Sequence, residues 1–124
     1  MAWYLNIDGF LRWNYTVWPE DPLNKITYRY PIWPAGDTNF VYPGKDGKPL
    51  LTLRYMNLKR GIRDFEIINR YVEKYQDRED VVKMLGTVFY NNDFLVPQTK
   101  SEDNYSLDYD TYESIINKLL SKLI

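Results

Sequence analysis

From Thr16 to Thr38 the chain carries prolines at positions 19, 22, 31 and 34 and a glycine at 36, with no apolar repeat at the strand or the helix step. Proline fixes φ and removes a backbone donor, so neither a long helix nor a central strand runs through this span. What remains is a long irregular loop, and in a compact domain such a loop is either functional or disordered. It carries Trp18, Tyr28, Tyr30 and Trp33, a load of rings that disordered segments lack. A functional loop is therefore expected, with regular elements on either side.

Upstream, a strand is read over Ile7 to Tyr15, entered through Asp8-Gly9, while Ala2 to Leu5 is too short to assign, the end of a helix feeding that strand being one option. Downstream, Asn39 to Tyr42 reads as a second short strand. It is closed by Pro43-Gly44 and followed by a hairpin-like excursion over Lys45 to Pro49. Then the period changes. Leu53, Met56, Leu58, Ile62, Phe65, Ile68, Tyr71, Val72 and Tyr75 recur at three- and four-residue steps, predicting one amphipathic helix over Thr52 to Gln76 with Thr52 as N-cap. Arg60 and Asp64, and Glu66 and Arg70, are spaced to pair along it. Asp77 caps a second helix carrying Val81, Val82, Met84, Leu85, Val88 and Phe89 and stopping near Asn91-Asn92. Lys100 to Asn104 is a polar link. Asp110, with Glu113 three residues on, starts a third helix whose Tyr112, Ile115, Ile116, Leu119, Leu120 and Leu123 form one stripe. The fold class is α+β: two or three short strands, a long aromatic loop and three helices. Residues 1–76 form the strand, loop and long-helix part, and residues 77–124 a helical extension packed on the same core.

Composition removes most chemistries. The 124 residues include no histidine and no cysteine, so the usual general base, thiol nucleophiles and the commonest transition-metal ligands are missing. No metal or cofactor is expected. Sixteen basic residues against seventeen acidic ones create no global field for nucleic acid or an anionic membrane. The first ten residues show no basic-then-apolar leader and no apolar run is long enough to span a bilayer, which as encoded implies a cytoplasmic chain. Carboxylate chemistry survives. Glu20-Asp21 is the adjacent acidic pair of the aromatic region, but it sits between two prolines and reads as a solvated or capping pair. Asp64 and Glu66 lie two apart on a helix and face different ways. Asp37 reads as an Asx-type turn residue, and the lone GKDGK at 44–48 lacks phosphate-loop spacing.

Rings are what the chain has in excess, at 17% of residues. All four tryptophans, Trp3, Trp13, Trp18 and Trp33, lie in the first third, with Tyr4, Tyr15, Tyr28, Tyr30 and Tyr42 among or just after them. Such side chains suit sugar faces, partner surfaces and wet clefts, because one group supplies apolar area and a polar edge. Packing of a small core is the alternative.

Three ordered blocks then decide the direction: GFLRWNYTVWPEDPL, PAGDTNFVYPG and LLTLRYMNLKRGIRDFEI. Together they resemble the C-terminal signature of glycoside hydrolase family 123 and its relatives. That signature has a strand like G-x-L-x-W-A-Y-N-x-W, a G-D loop before V-Y-P-G, and S-x-R-x-E-x-L-R-x-G-I-x-D-Y-E opening a helix. The likeness runs from about Ile7 to Val72 and includes Gly9, Trp13, Tyr15, Trp18, Asp37, Tyr42, Arg54, Gly61 and Asp64. The resemblance implies the last β/α unit of an α/β barrel, whose sites lie at the C-terminal ends of the strands. Trp13, Tyr15, Trp18, Trp33 and Tyr42 then become sugar-contacting residues, with Asp37 and Arg54 bracing the loop. The resembled enzymes use the acetamido oxygen of an N-acetylgalactosaminide as nucleophile, with an adjacent Asp-Glu pair on an earlier strand. That pair has no counterpart here, so no catalytic residue is assigned and turnover by this chain alone is not expected. Thr16 replaces the family's Asn, Met56 its Glu, and Arg60 inverts a charge. Expected partners are a carbohydrate and either the missing barrel or a second copy, with strands Phe10 to Tyr15 and Asn39 to Tyr42 pairing across chains. The alternative function is a stand-alone carbohydrate-binding or protein-interaction module built on the aromatic loop.

Overall fold

The computed structural model describes residues 1–9, 11, 15–25, 27, 29–34, 39–89 and 105–124. They form an α+β arrangement with the element order β1 (Val41–Pro43), β2 (Pro49–Leu51), α1 (Leu53–Tyr75), α2 (Arg78–Gly86) and α3 (Tyr109–Leu123). The chain divides into two compact units, one of Met1–Asp8 and Arg63–Ile124, the other of Gly9–Ile62. No helix among the described residues is long and apolar enough to cross a membrane.

The first unit contains the apolar core. Ile67, Ile68 and Tyr71 of α1 are buried together with Val81 and Leu85 of α2, Val88 and Phe89 after it, and Ile115, Ile116 and Leu119 of α3. Trp3 joins them at 6% exposure. Its indole N–H donates to Asn69 Oδ1 at 2.8 Å, and the Arg78 guanidinium lies 4.3 Å from the ring centroid, so the buried ring is both hydrogen-bonded and covered by a cation. The residues before it make one helical turn, with the Leu5 N–H donating to the Met1 carbonyl at 3.0 Å. α1 ends where Gln76 takes the left-handed conformation at φ 55. Asp77 caps α2 as expected, accepting from the Asp80 N–H at 3.0 Å.

Two boundaries differ from the sequence reading. α2 stops at Gly86, because Thr87 and Val88 turn back with i to i−3 bonds to Met84 and Leu85. Phe89 then bridges antiparallel to Tyr105, while Asn91 and Asn92 lie outside the described residues, as does the Lys100–Asn104 link. α3 is capped by Asp108 rather than Asp110, with one carboxylate oxygen accepting from the Asp110 N–H at 3.1 Å and the other from the Thr111 hydroxyl at 2.6 Å. These two bonds, the hydroxyl first, hold the Asp108 carboxyl below its ordinary range. Glu113, placed in a capping box by its spacing, instead accepts from the Tyr109 hydroxyl at 3.0 Å. On α1, Asp64 pairs with the adjacent Arg63 at 2.8 Å.

The second unit is built differently. β1 pairs with β2 antiparallel, Val41 opposite Leu51 and Tyr42 opposite Leu50, so the strand expected at 39–42 finds its partner across the Lys45–Pro49 excursion. Ile7 to Gly9, Leu11 and Tyr15 lie in no strand, and the remaining positions of the first expected strand, 10 and 12–14, fall outside the described residues. The N-terminal half of α1 also departs from its expected role. Leu53 is 82% exposed, with Met56 and Ile62 exposed as well, so this half of the apolar stripe faces solvent and only the second half is core.

Candidate functional site

The described part of the second unit has a single fully buried side chain, and it is polar. Asn39, 4% exposed, accepts from the Val17 N–H through Oδ1 at 3.4 Å and donates through Nδ2 to the Tyr42 hydroxyl at 3.3 Å. Its carbonyl accepts from Arg54 Nε at 2.9 Å. One carboxamide therefore joins the loop, β1 and, through its backbone, the first turn of α1. A buried amide is retained only with its donors and acceptors matched, which is the arrangement here.

Thr52 completes the attachment. Its hydroxyl donates to the Phe40 carbonyl at 2.6 Å and accepts from the Tyr55 N–H at 3.2 Å. One side chain thus caps α1 and ties it to the residue preceding β1. The hairpin itself turns at Gly44 to Gly47, where Gly47 adopts φ 71, a left-handed position that suits glycine.

Around this hub the rings stay at the surface. Tyr15 is 50% exposed and stacks on Phe40 at a centroid separation of 5.3 Å and an interplanar angle of 12°, leaving its other face open. Trp18 donates its indole N–H to the Val41 carbonyl at 2.9 Å, which pins the ring beside β1 while its surface remains partly exposed. Trp33, 47% exposed, sits in a tight reversal where Tyr30 N–H donates to the Trp33 carbonyl at 2.9 Å and Arg29 bridges Pro34. Tyr42 lines an open cleft of about 260 Å³ together with Pro19, Pro22, Leu23, Lys25, Thr27 and Asn39.

Of the residues singled out from the sequence, Trp18 and Tyr42 are tied to the same short strand, Tyr15 stacks on the residue preceding it, and Arg54 bonds to the residue before that. Trp33 lies on its own reversal. Trp13 and Asp37 lie outside the described residues. Among the described residues no three carboxylates converge to hold a metal ion. Asp21 has one oxygen accepting from Asn24 Nδ2 at 3.0 Å, closing a local turn. Asn39 is not among the sequence candidates, where it is only the start of a strand. Its signal was a lone carboxamide between turn formers and the apolar run Phe40-Val41-Tyr42, a place where a side chain with both a donor and an acceptor can satisfy two segments at once.

Comparison with known proteins bears on the same segment. The family model described as Glycoside hydrolase 123, catalytic domain, matches residues 1–71. No curated protein and no solved structure matches the chain significantly.

Proposed function

Because this chain belongs to the glycoside hydrolase 123 catalytic-domain family, we propose that its Gly9–Ile62 unit serves as a sugar-facing wall. It contributes pocket closure and N-acetylhexosaminide recognition rather than the groups that break the bond. The observation that carries this reading is that the family-matched segment, residues 1–71, contains the whole of the unit whose described tryptophans, Trp18 and Trp33, are exposed.

In this reading each part has a physical task. The exposed rings of Tyr15 and Trp18 stack on sugar C–H surfaces, and Trp13 and Trp33 are further sugar-contacting rings. Tyr42 accepts its hydrogen bond from Asn39, which leaves its own proton to donate to a sugar oxygen. Arg54 and Asp37 hold the loop, Arg54 by its bond to the Asn39 carbonyl. Aligned side chains on a tethered backbone lower the ordering cost of binding.

The test is titration of the full chain with N-acetylgalactosamine-containing oligosaccharides, followed by tryptophan emission. Binding that is weakened by Trp18→Phe and by Tyr42→Phe is the expected result. Absence of any response from Trp18 across all the oligosaccharides refutes it. Turnover of an aryl N-acetylgalactosaminide that vanishes in a Glu20→Gln, Asp21→Asn double variant would instead make the loop pair catalytic.

A second reading is favoured by the exposed Leu50, Leu51, Leu53, Met56 and Ile62 of the same unit. A surface so apolar is expected to be covered by another chain or by the remainder of a barrel. Light scattering that shows a dimer, with emission blind to every sugar, supports that reading over the first.

A further inference from the structure

The cleft beside Tyr42 contains a charge that the proposed sugar site does not use. Lys25 is among its lining residues, and no acceptor among the described residues pairs with the Lys25 ammonium. Asp21, the nearest carboxylate in sequence, has its Oδ1 accepting from Asn24 Nδ2. Backbone bonds hold the lysine in place: its N–H donates to the Asp21 carbonyl at 2.9 Å, and its carbonyl accepts from the Thr27 hydroxyl at 3.2 Å. No described lining residue is acidic.

The surrounding unit has the same sign. Between Gly9 and Ile62 the sequence holds eight basic and four acidic residues, against a net charge of −1 for the whole chain. A near-neutral protein therefore carries a positive segment, and the cleft lies in it. Local fields of this kind attract anions even where the total charge is close to zero.

Resting on the reading of this unit as a sugar-facing wall, we propose that its preferred ligand is an N-acetylhexosaminide glycan bearing an anionic group, sulfate or carboxylate, which Lys25 holds. The polar groups of the cleft divide the ligand between them. Tyr42 donates its free proton to the acetamido carbonyl, and Thr27, its proton committed to the Lys25 carbonyl, accepts from a sugar hydroxyl. The Lys25 ammonium takes the anion in a charge-assisted hydrogen bond. Pro19, Pro22 and Leu23 supply the apolar floor.

The experiment titrates the full chain with three probes of equal length: a neutral N-acetylgalactosamine oligosaccharide, its sulfated form, and one containing a uronic acid. The readout is tryptophan emission. Either anionic probe, or both, is expected to bind about tenfold more tightly than the neutral one, the size of one charge-assisted contact. Lys25→Gln should abolish that advantage, and Lys25→Glu should reverse it. Lys45→Gln, on the exposed hairpin tip, should leave it intact. Equal binding of all three probes overturns the proposal while leaving the sugar-wall reading standing. An advantage lost equally in Lys45→Gln also overturns it, because diffuse charge is then responsible. No binding of any probe overturns both.

Discussion

A methyl group on Gly44 would lie 2.1 Å from the Lys48 carbonyl oxygen and 3.2 Å from the carbonyl carbon. Carbon contacts settle nearer 3.5 Å, so Gly44→Ala forces the two arms of the hairpin apart by about 1 Å or more. The obstacle is backbone, which cannot rotate away as a flexible side chain would. The cost therefore falls in the upper part of the ~1–3 kcal/mol range for overpacking. A two-stranded hairpin is marginal by itself, so this loss is enough to open the pairing of Pro43 with Pro49 and to displace Tyr42, which pairs with Leu50. Two other glycines act as controls. At Gly47 a methyl group meets nothing, but φ is 71, so alanine costs about 1–2 kcal/mol from backbone conformation alone and asparagine restores most of it. At Gly61, inside α1, a methyl group also meets nothing, and alanine should stabilise the helix by about 1 kcal/mol. Amide exchange at Tyr42 and Leu50, the hydrogen-bonded pair of the ladder, with the Trp18 indole N–H resonance as a reporter of its bond to Val41, reads the hairpin directly. Gly44→Ala with unaltered exchange at Tyr42 and Leu50 and an unshifted Trp18 resonance would refute the reasoning, as would a destabilising Gly61→Ala.

Leu119 is completely buried and Leu120 beside it is exposed, so urea denaturation should show Leu119→Ala costing about 2–5 kcal/mol and Leu120→Ala much less. Asn39→Ala leaves the Val17 N–H and the Tyr42 hydroxyl without their partner, a loss of about 1–3 kcal/mol, visible as faster exchange at Val17 together with weaker sugar binding. For Asp108 the folded-state pKa is depressed, so its contribution to α3 is present above the ordinary carboxylate range and disappears as pH falls through the lowered value. Thermal melts of the wild type and Asp108→Ala should therefore differ at neutral pH and converge in acid, whereas Asp108→Asn, which keeps a capping acceptor, removes the pH dependence.

The helices were legible because each carries an apolar stripe long enough to exclude a strand, and because Thr52 and Asp77 are unambiguous caps. Their ends were less so. Val88 and Phe89 continue the stripe of α2 as letters, but an adjacent apolar pair fits an extended bridge equally well, and the long-range pairing with Tyr105 decides it. Asp108 and Asp110 are both competent caps two residues apart, and the hydroxyl of Thr111 selects the first. The partner of the Val41 strand was foreshadowed by the Lys45–Pro49 excursion, although Pro49-Leu50-Leu51 carries no alternation to mark it as a strand. Whether a ring packs or faces water was not legible at all. Trp3 and Trp18 look alike in sequence, yet the first meets Asn69 and Arg78 inside a core assembled from residues more than sixty positions away, and the second stays partly exposed and donates to the Val41 carbonyl.

The described parts of the two units are consequently held by different forces, and this bears on what the Gly9–Ile62 part of the family-matched segment can do. The unit with Trp3, Val81, Val88 and Leu119 buries apolar side chains and draws its stability from area removed from water. In the other unit the single fully buried side chain among the described residues is Asn39, while Leu50, Leu51, Leu53 and Met56 lie outside. Hydrogen bonds each add only about 1 kcal/mol net, so the Asn39, Thr52 and Arg54 contacts fix geometry more than they supply stability. A segment of that kind gains most from whatever covers its open surface. A bound glycan stacked on Trp18 and Trp33 would do so on one side, and a partner over Leu53 and Met56 on another.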